Sequence, residues 1–332
     1  MAWPEKLPPM SLPLIGAPMF VISSPGLVIA QCINGVIGAF PALNARPQPV
    51  LGEWLATITA ALETFRQRHP GAEIAPIAVN QIIHASNDRL ARDLDLCERF
   101  KVPVIITSLS APDKVVSRVH AWGGIVFHDV INPRHAKKAI DAGADGVILV
   151  CAGGGGHAGT LSPFALVEEV RKFWPGAIVL AGAIATGRGV LAARAMGADL
   201  AYAGTRFIAT QEANASLAYK EAIVAGSAND IVYSAYFTGV PGNYLRHSII
   251  AAGLDPDSLG PRETQAMDFA ARKSAQAAKA WRDIWGAGQG VGSVSAILPA
   301  AEVIKQMRAE YESARQELCE AAAAPALLAG LQ

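Results

Sequence analysis

One unit recurs eight times along the 332-residue chain: a short apolar, often β-branched run, a break at Gly, Pro or Asn, and a segment with apolar residues at helical spacing. The apolar runs fall at residues 14–20, 35–40, 74–80, 102–107, 124–128, 146–151, 177–181 and 200–204. The helical stretches that follow them cover 26–32, 49–68, 87–100, 111–122, 132–142, 163–173, 187–196 and 213–225. Runs such as Val147-Ile148-Leu149-Val150 and Ile178-Val179-Leu180 are apolar on both faces, the pattern of parallel strands covered by helices. Eight units of this kind predict an α/β fold, a (β/α)8 TIM barrel. An open doubly wound sheet would carry a glycine fingerprint after its first strand, and none follows Met19.

Beyond the eighth unit, residues 230–260 are irregular and rich in Gly, Pro, Tyr and Asn, which reads as an excursion over one end of the barrel. Residues 262–285 alternate Ala with charged residues at helical spacing, 286–292 form a glycine-rich turn, a last helix is expected at about 299–322, and the tail 321–332 is Ala- and Leu-rich. No linker cuts the chain. The expected organisation is one domain over 1–332, with an arm at 1–12, a barrel core at 14–226, and an excursion and helices at 227–322 covering the active-site end.

An apolar fraction of 52% against 17% charged residues implies a large core. Lys plus Arg equals Asp plus Glu at 28 each, with no run of five like charges, so the chain lacks the electrostatic footprint of a nucleic-acid or anionic-membrane binder. A small-molecule partner fits better. The first nine residues have neither a basic nor a continuous apolar region, and no later stretch reaches the ~18 apolar residues of a membrane span, so a soluble, cytoplasmic protein is expected. Cys32, Cys97, Cys151 and Cys319 form no C-x-x-C pair, which disfavours both a disulfide framework and a metal site. A homo-oligomer is left open.

A barrel of this class places its active site at the C-terminal ends of its strands and commonly binds phosphate at the loops after strands seven and eight. Those loops read Ala181-Gly182-Ala183-Ile184-Ala185-Thr186-Gly187-Arg188-Gly189 and Gly204-Thr205-Arg206-Phe207, small residues just before a helix start, where N–H groups can approach an anion. The same glycines could simply turn the chain. After strand six comes Cys151-Ala152-Gly153-Gly154-Gly155-Gly156-His157-Ala158-Gly159. Four consecutive glycines cost much conformational entropy, which suggests a backbone that must pass close to something bulky. His157, at that face and with an ordinary pKa near ~6.5, is the candidate base. His128 and Asp129 end strand five; a pocket-lining role and a paired structural histidine both fit them. Tyr233, Tyr236, Tyr244 and Asn243 lie in the excursion, where loops set substrate choice. The glycine series from Gly286 to Gly292 follows Trp285 and a helical stretch, not a strand, so it is no dinucleotide fingerprint.

The Gly155-Gly156-His157-Ala158-Gly159 segment, the Ala181-Gly182-Ala183-Ile184 turn, Gly204-Thr205-Arg206-Phe207, the early Ala17-Pro18-Met19 and the late Trp285-Gly286-Ala287-Gly288-Gln289-Gly290 together resemble the nitronate monooxygenase family. The resemblance implies a barrel that binds flavin mononucleotide (FMN). Ala17, Pro18, Met19 and Asn80 would contact the flavin ring, Gly182, Ala183, Gly204 and Thr205 would hold the phosphate, Ala181 would also belong to the cofactor site, and Trp285 and Gln289 would close the pocket. His157 would act on a nitroalkane or nitronate, with His128, Gly156 and Tyr236 lining the substrate pocket and O2 as co-substrate. An FMN-dependent NAD(P)H-using reductase of enoyl thioesters or quinones is the alternative on the same barrel. The chain departs from the family at Ala183, where a second Gly is common, at Gly153, which replaces an acidic residue, and at His128-Asp129, where some relatives carry a basic residue.

Overall fold

The computed structural model describes residues 7–260 and 283–323. Eight parallel strands close on themselves: β1 (Leu14–Gly16), β2 (Ile37–Pro41), β3 (Ile77–Ile83), β4 (Val104–Leu109), β5 (Ile125–Val130), β6 (Gly146–Val150), β8 (Ala177–Ala181) and β9 (Leu200–Ala203). β9 pairs with β1 through Leu14↔Ala201 and Ile15↔Tyr202, which completes the ring. Because side chains alternate across a strand, each strand feeds two cores. Ile15, Ile37, Ile106, Phe127, Ile148, Val179 and Leu200 fill the barrel interior, while Ile105 and Val126 face outward onto the apolar sides of the helices.

The ring helices are α1 (Pro25–Ile33), α2 (Val50–Arg68), α3 (Leu90–Arg99), α4 (Asp113–Ala121), α5 (Pro133–Asp141), α6 (Pro163–Arg171) and α7 (Gly187–Ala195). Ser24, Asn132 and Thr186 cap the N-termini of α1, α5 and α7 through their side-chain oxygens, with Pro at the first turn of α1 and α5, where its missing N–H costs nothing.

Three features differ from the sequence reading. The first strand ends at Gly16 rather than at residue 20, because Pro18 has no N–H for a ladder; only Ala17 N still bonds Ala203 O, at 2.9 Å. The stretch read as the eighth ring helix forms α9 (Leu217–Ala225), preceded by the one-turn α8 (Thr205–Ile208), but α9 packs on α8 and on the turn Gln289–Ser293. The last of the described helices, α11 (Ala300–Ala323), packs against α7 and α1 and so stands where an eighth ring helix belongs. Lastly, the irregular stretch 230–260 contains β10 (Ile231–Ser234), β11 (Gly242–Leu245) and α10 (Arg246–Ala251). β10 and β11 form an antiparallel sheet with β7 (Gly156–His157). The helical reading of 262–285 lies outside the described residues except at 283–285, as does most of the Ala- and Leu-rich tail.

α11 is fastened to α7 at Gly187. Glu310 accepts the Gly187 N–H at 2.6 Å, a carboxylate on the positive end of a helix, and a Cβ on Gly187 would lie 1.8 Å from Met307 O and 2.5 Å from Tyr311 N. Gly187→Ala is therefore expected to cost about 1–3 kcal/mol of stability through forced displacement of α11. Gly189→Ala, whose Cβ would meet nothing closer than Thr186 Oγ1 at 3.4 Å, should be neutral or stabilise by up to ~1 kcal/mol, because Ala favours a helix over Gly. Urea unfolding of the two variants checks the difference.

Candidate active site

The C-terminal ends of β6, β8, β9 and β1 carry short loops of small residues, and these loops touch. β8 and β9 are neighbours, with Ala181 opposite Tyr202, so the Gly182-Ala183 and Gly204-Thr205 turns emerge side by side. A Cβ on Gly204 would lie 3.5 Å from Ala17 Cβ and from Met19 Sδ, which brings the end of β1 against the start of α8. The glycine loop after β6 reaches the same place: a Cβ on Gly155 would lie 3.2 Å from Thr205 Oγ1 and 2.9 Å from Gly288 N.

Gly153 holds these segments together. Its carbonyl accepts N–H groups from Ala183 at 3.2 Å and from Gln289 at 2.9 Å, and its φ of +81° is one that a residue with a Cβ rarely adopts. Gly288 packs into the same joint, where a Cβ would fall 2.5 Å from Gly153 O. Ala183 sits at φ +54° beside Gly182 at +136°, so the residue that departs from the family's Gly carries left-handed backbone strain.

The two candidate phosphate loops are not equivalent. The first turn of α7 is already served: Thr186 Oγ1 accepts from Gly189 N at 3.1 Å and Glu310 accepts from Gly187 N. An anion there would face a carboxylate. At α8, the first N–H groups lack intrahelical acceptors, and Gly204 presents no side chain. Thr205 Oγ1 accepts from Gly288 N at 2.9 Å, so the hydroxyl proton is left to donate. Gly204, Thr205 and the adjoining Gly182-Ala183 turn therefore make a cradle that fits a phosphate group.

His157 lies in β7, opposite Gly242 of β11, and Asn243 fixes the preceding loop by donating from Nδ2 to Gly154 O at 2.6 Å. Its Nε2 is 2.8 Å from Thr238 Oγ1, and that hydroxyl donates to Val240 O at 3.0 Å. Thr238 Oγ1 thus holds the ring through Nε2. Burial pushes the His157 pKa down to about 4, so the imidazole is neutral at pH 7 and can act as a base.

The structure corrects the assignment of His128. Phe127 and its alternation partner Asp129 face the barrel interior, whereas His128 faces outward beneath the helices, 3% exposed, with Nδ1 2.8 Å from Thr107 Oγ1. It is a structural histidine and does not line the pocket. Asn80 lies midway along β3 rather than at its end, buried, where Nδ2 donates to Ser108 Oγ at 2.9 Å and to Ile106 O at 3.3 Å. The Gln289 side chain lies against Gly153, and Gly156 pairs with Asn243. Trp285 stacks on Tyr219 with ring centroids 4.8 Å apart, and Tyr236 meets Phe237 edge-on at 5.2 Å; both thus pack in the excursion. Pro18 is half-buried between Ala17 and Met19. The sequence reading missed Thr238, 81 residues from its histidine, and no local signal could have paired them. Of the pair His128-Asp129 that the sequence offered for the pocket, the two-residue strand period places Asp129 inward with Phe127. Among the described residues no group of three His, Cys, Asp or Glu is placed to hold a metal ion, and no helix is long and apolar enough to cross a membrane.

Burial also pushes His128 down to about 4, helped by the charge of His135. A folded pKa below the unfolded ~6.5 means that the unfolded chain takes up the extra proton, so this stability is present above ~6.5 and is lost as pH falls toward 4. His128→Asn, which keeps a polar partner for Thr107, is expected to recover about 1–3 kcal/mol at pH 4.5 relative to its effect at pH 7.5. Chemical denaturation at the two pH values measures this.

Comparison with known proteins matches this geometry. The sequence model of the nitronate monooxygenase family covers residues 57–310. A nitronate monooxygenase of Paraburkholderia phytofirmans is 26% identical over 353 aligned positions, spanning 92% of this chain and 94% of that protein. Among solved structures, a FabK variant from Thermotoga maritima superposes with a TM-score of 0.72 at 26% identity, covering 94% of this chain and 96% of its own. A nitroalkane oxidase from Streptomyces ansochromogenes shares the fold, with a TM-score of 0.71 at 24% identity over 93% and 98% of the two chains. With the family model matching most of the chain and the barrel closed around the loops that carry its motifs, the chain is an enzyme of the nitronate monooxygenase family.

Proposed function

We propose that the protein binds FMN at the mouth of its barrel and oxidises alkyl nitronates or nitroalkanes with O2, giving a carbonyl compound and nitrite. The observation that carries this reading is the meeting of the His157 loop with the α8 cradle, where Gly155 abuts Thr205. FMN, when bound, supplies the one-electron and oxygen chemistry that no side chain offers. Gly182, Ala183, Gly204 and Thr205, with Ala181 beneath them, would hold its phosphate. Ala17, Pro18, Met19 and Asn80 would border its ring, and Gln289 would close the site from the late glycine turn.

The protein's own part is proton handling and orientation. The C–H next to a nitro group is acidic, and His157, neutral at pH 7, would take that proton while Thr238 fixes the ring through its contact with Nε2. For a substrate already ionised to the nitronate, the same imidazole would orient the anion. Tyr236 and Gly156 would bound the substrate side through the small sheet of β7, β10 and β11. A cytoplasmic, small-molecule enzyme fits this reading.

A second reading is supported by the likeness to the FabK variant: an FMN enzyme that oxidises NAD(P)H and reduces an enoyl thioester or quinone. Anaerobic titration separates the two. Bleaching of bound flavin by a nitronate and not by NADH or NADPH is the outcome expected here, and rapid bleaching by a nicotinamide would favour the reductase. His157→Ala should keep the yellow flavin and lose about 10²- to 10⁴-fold in turnover of neutral nitroalkane; unchanged turnover would remove His157 from the chemistry. Gly204→Asp should expel FMN, because it sets a negative charge against the phosphate. Gly204→Ala, whose Cβ makes only ordinary contacts at 3.5 Å, should retain it.

A further inference from the structure

The turn that joins β10 to β11 reaches the His157 ring. Thr238 Oγ1 lies 2.8 Å from His157 Nε2, 3.0 Å from Val240 O and 3.4 Å from Tyr244 Oη. The hydroxyl is held in place by its neighbours. Phe237, directly before it, is 7% exposed and meets the Tyr244 ring edge-on with centroids 4.8 Å apart. Gly239 N–H closes the turn on Ala235 O at 2.9 Å, and Val240 N–H points back to Thr238 Oγ1 at 3.4 Å. From the other side, β7 sets His157 opposite Gly242, and Ala158 N–H reaches Pro241 O at 3.4 Å. Backbone pairing and the apolar cluster of Phe237, Tyr244, Ile249 and Ile284 therefore fix imidazole and hydroxyl against each other.

Holding the ring is one consequence of this contact, and the charge that a base acquires brings a second. When His157 takes a proton from carbon, the C–H bond breaks, its electron pair stays on the substrate as the nitronate, and the ring becomes an imidazolium with an N–H on both nitrogens. Whichever nitrogen carried hydrogen beforehand, an Nε2–H then faces Thr238 Oγ1. Burial already pushes the His157 pKa down to about 4, so an imidazolium N–H without an acceptor would carry the cost of an unsatisfied buried charge. The Thr238 hydroxyl can accept that N–H while donating its own hydrogen bond to the Val240 carbonyl, which ends the chain on a backbone dipole. We infer that Thr238 is a positioning residue for proton abstraction, acting through His157: its hydroxyl accepts from the imidazolium that forms when a neutral nitroalkane loses its C–H proton. This rests on the nitronate reading above and adds to it the group that lets a buried imidazole bear a charge. A substrate already ionised to the nitronate needs no such proton transfer, so the contribution of Thr238 separates the two substrate forms.

The test compares, in the whole flavin-loaded protein at pH 7, turnover of a neutral nitroalkane with turnover of the same compound ionised beforehand to its nitronate. Thr238→Val keeps the side-chain volume and removes the hydroxyl, and the ratio of nitroalkane to nitronate turnover is expected to fall about 10- to 10²-fold, the worth of a hydrogen bond to a charged group. Thr238→Ser keeps a hydroxyl and should bring the ratio back to within about threefold of wild type. Thr238→Ala should show the same fall as Thr238→Val, and serves if the turn does not accommodate valine. A second readout is independent of turnover: in protein with nitrogen-15-labelled histidine, the His157 Nε2 resonance should move in Thr238→Val and stay in place in Thr238→Ser. An equal loss on the two substrates marks a purely structural role and overturns the inference, as does an unchanged ratio, a loss that serine fails to restore, or an Nε2 resonance that ignores the valine. Wild-type protein that oxidises the nitronate but not the nitroalkane also overturns it, since no proton is then abstracted, and leaves the nitronate reading standing. Turnover of neither compound removes the nitronate reading and this inference with it.

Discussion

A single carbonyl oxygen, that of Gly153, receives N–H groups from two segments far apart in sequence, Ala183 and Gln289. The loop after β6, the loop after β8 and the late glycine turn can converge only if their backbones touch. At such distances a methyl group is too large: a Cβ on Gly288 would overlap the Gly153 carbonyl, and one on Gly290 would come within 2.8 Å of Ala183 O. The glycines give up conformational entropy on folding, and the return is a joint built from main-chain hydrogen bonds rather than from adjustable side chains. The candidate site depends on this joint, since it sets the height at which the His157 loop crosses the cradle.

Around that joint the electrostatics have a consistent logic. The site contains titratable groups, yet burial drives each toward its neutral form at moderate pH: His157 downward, Tyr202 upward and Asp129 upward. A low-dielectric mouth strengthens any charge brought to it, which suits the capture of a phosphate by N–H groups and of an anionic substrate by a polarised ring. The Glu310 carboxylate sits on the N-terminus of α7 and leaves α8 as the better anion seat.

The fold was legible because both of its periods were written plainly. Two-sided apolar runs such as Val147 to Val150 fit covered parallel strands, and eight of them without a glycine fingerprint after the first favour a closed ring over an open sheet. The glycine loops and His157 were legible by position, once strand ends were known to carry the chemistry. Other features were not. The partner of His157 lies in Thr238, across a sheet whose strands β10 and β11 have Gly, Asn and Tyr in place of a clean alternation. His128 was misassigned because a strand end was located to within a residue or two, and one residue is enough to swap the two faces of a strand. The stacking of Trp285 on Tyr219 joins residues 66 positions apart, which no local pattern announces.

The ring of helices is completed by α11, separated from its strand β9 by the whole of the excursion. On a ribosome, the first seven strand–helix units emerge with one apolar flank of the sheet still bare between α1 and α7, and that flank stays bare until α11 is made. Chain synthesis is slow compared with local folding, so the nascent barrel has to wait, incomplete, for its closing piece. The long detour between strand and helix delays closure because distant contacts form late. In return, the segments between β9 and α11 can change length and sequence without disturbing the alternation of strand and helix that builds the scaffold.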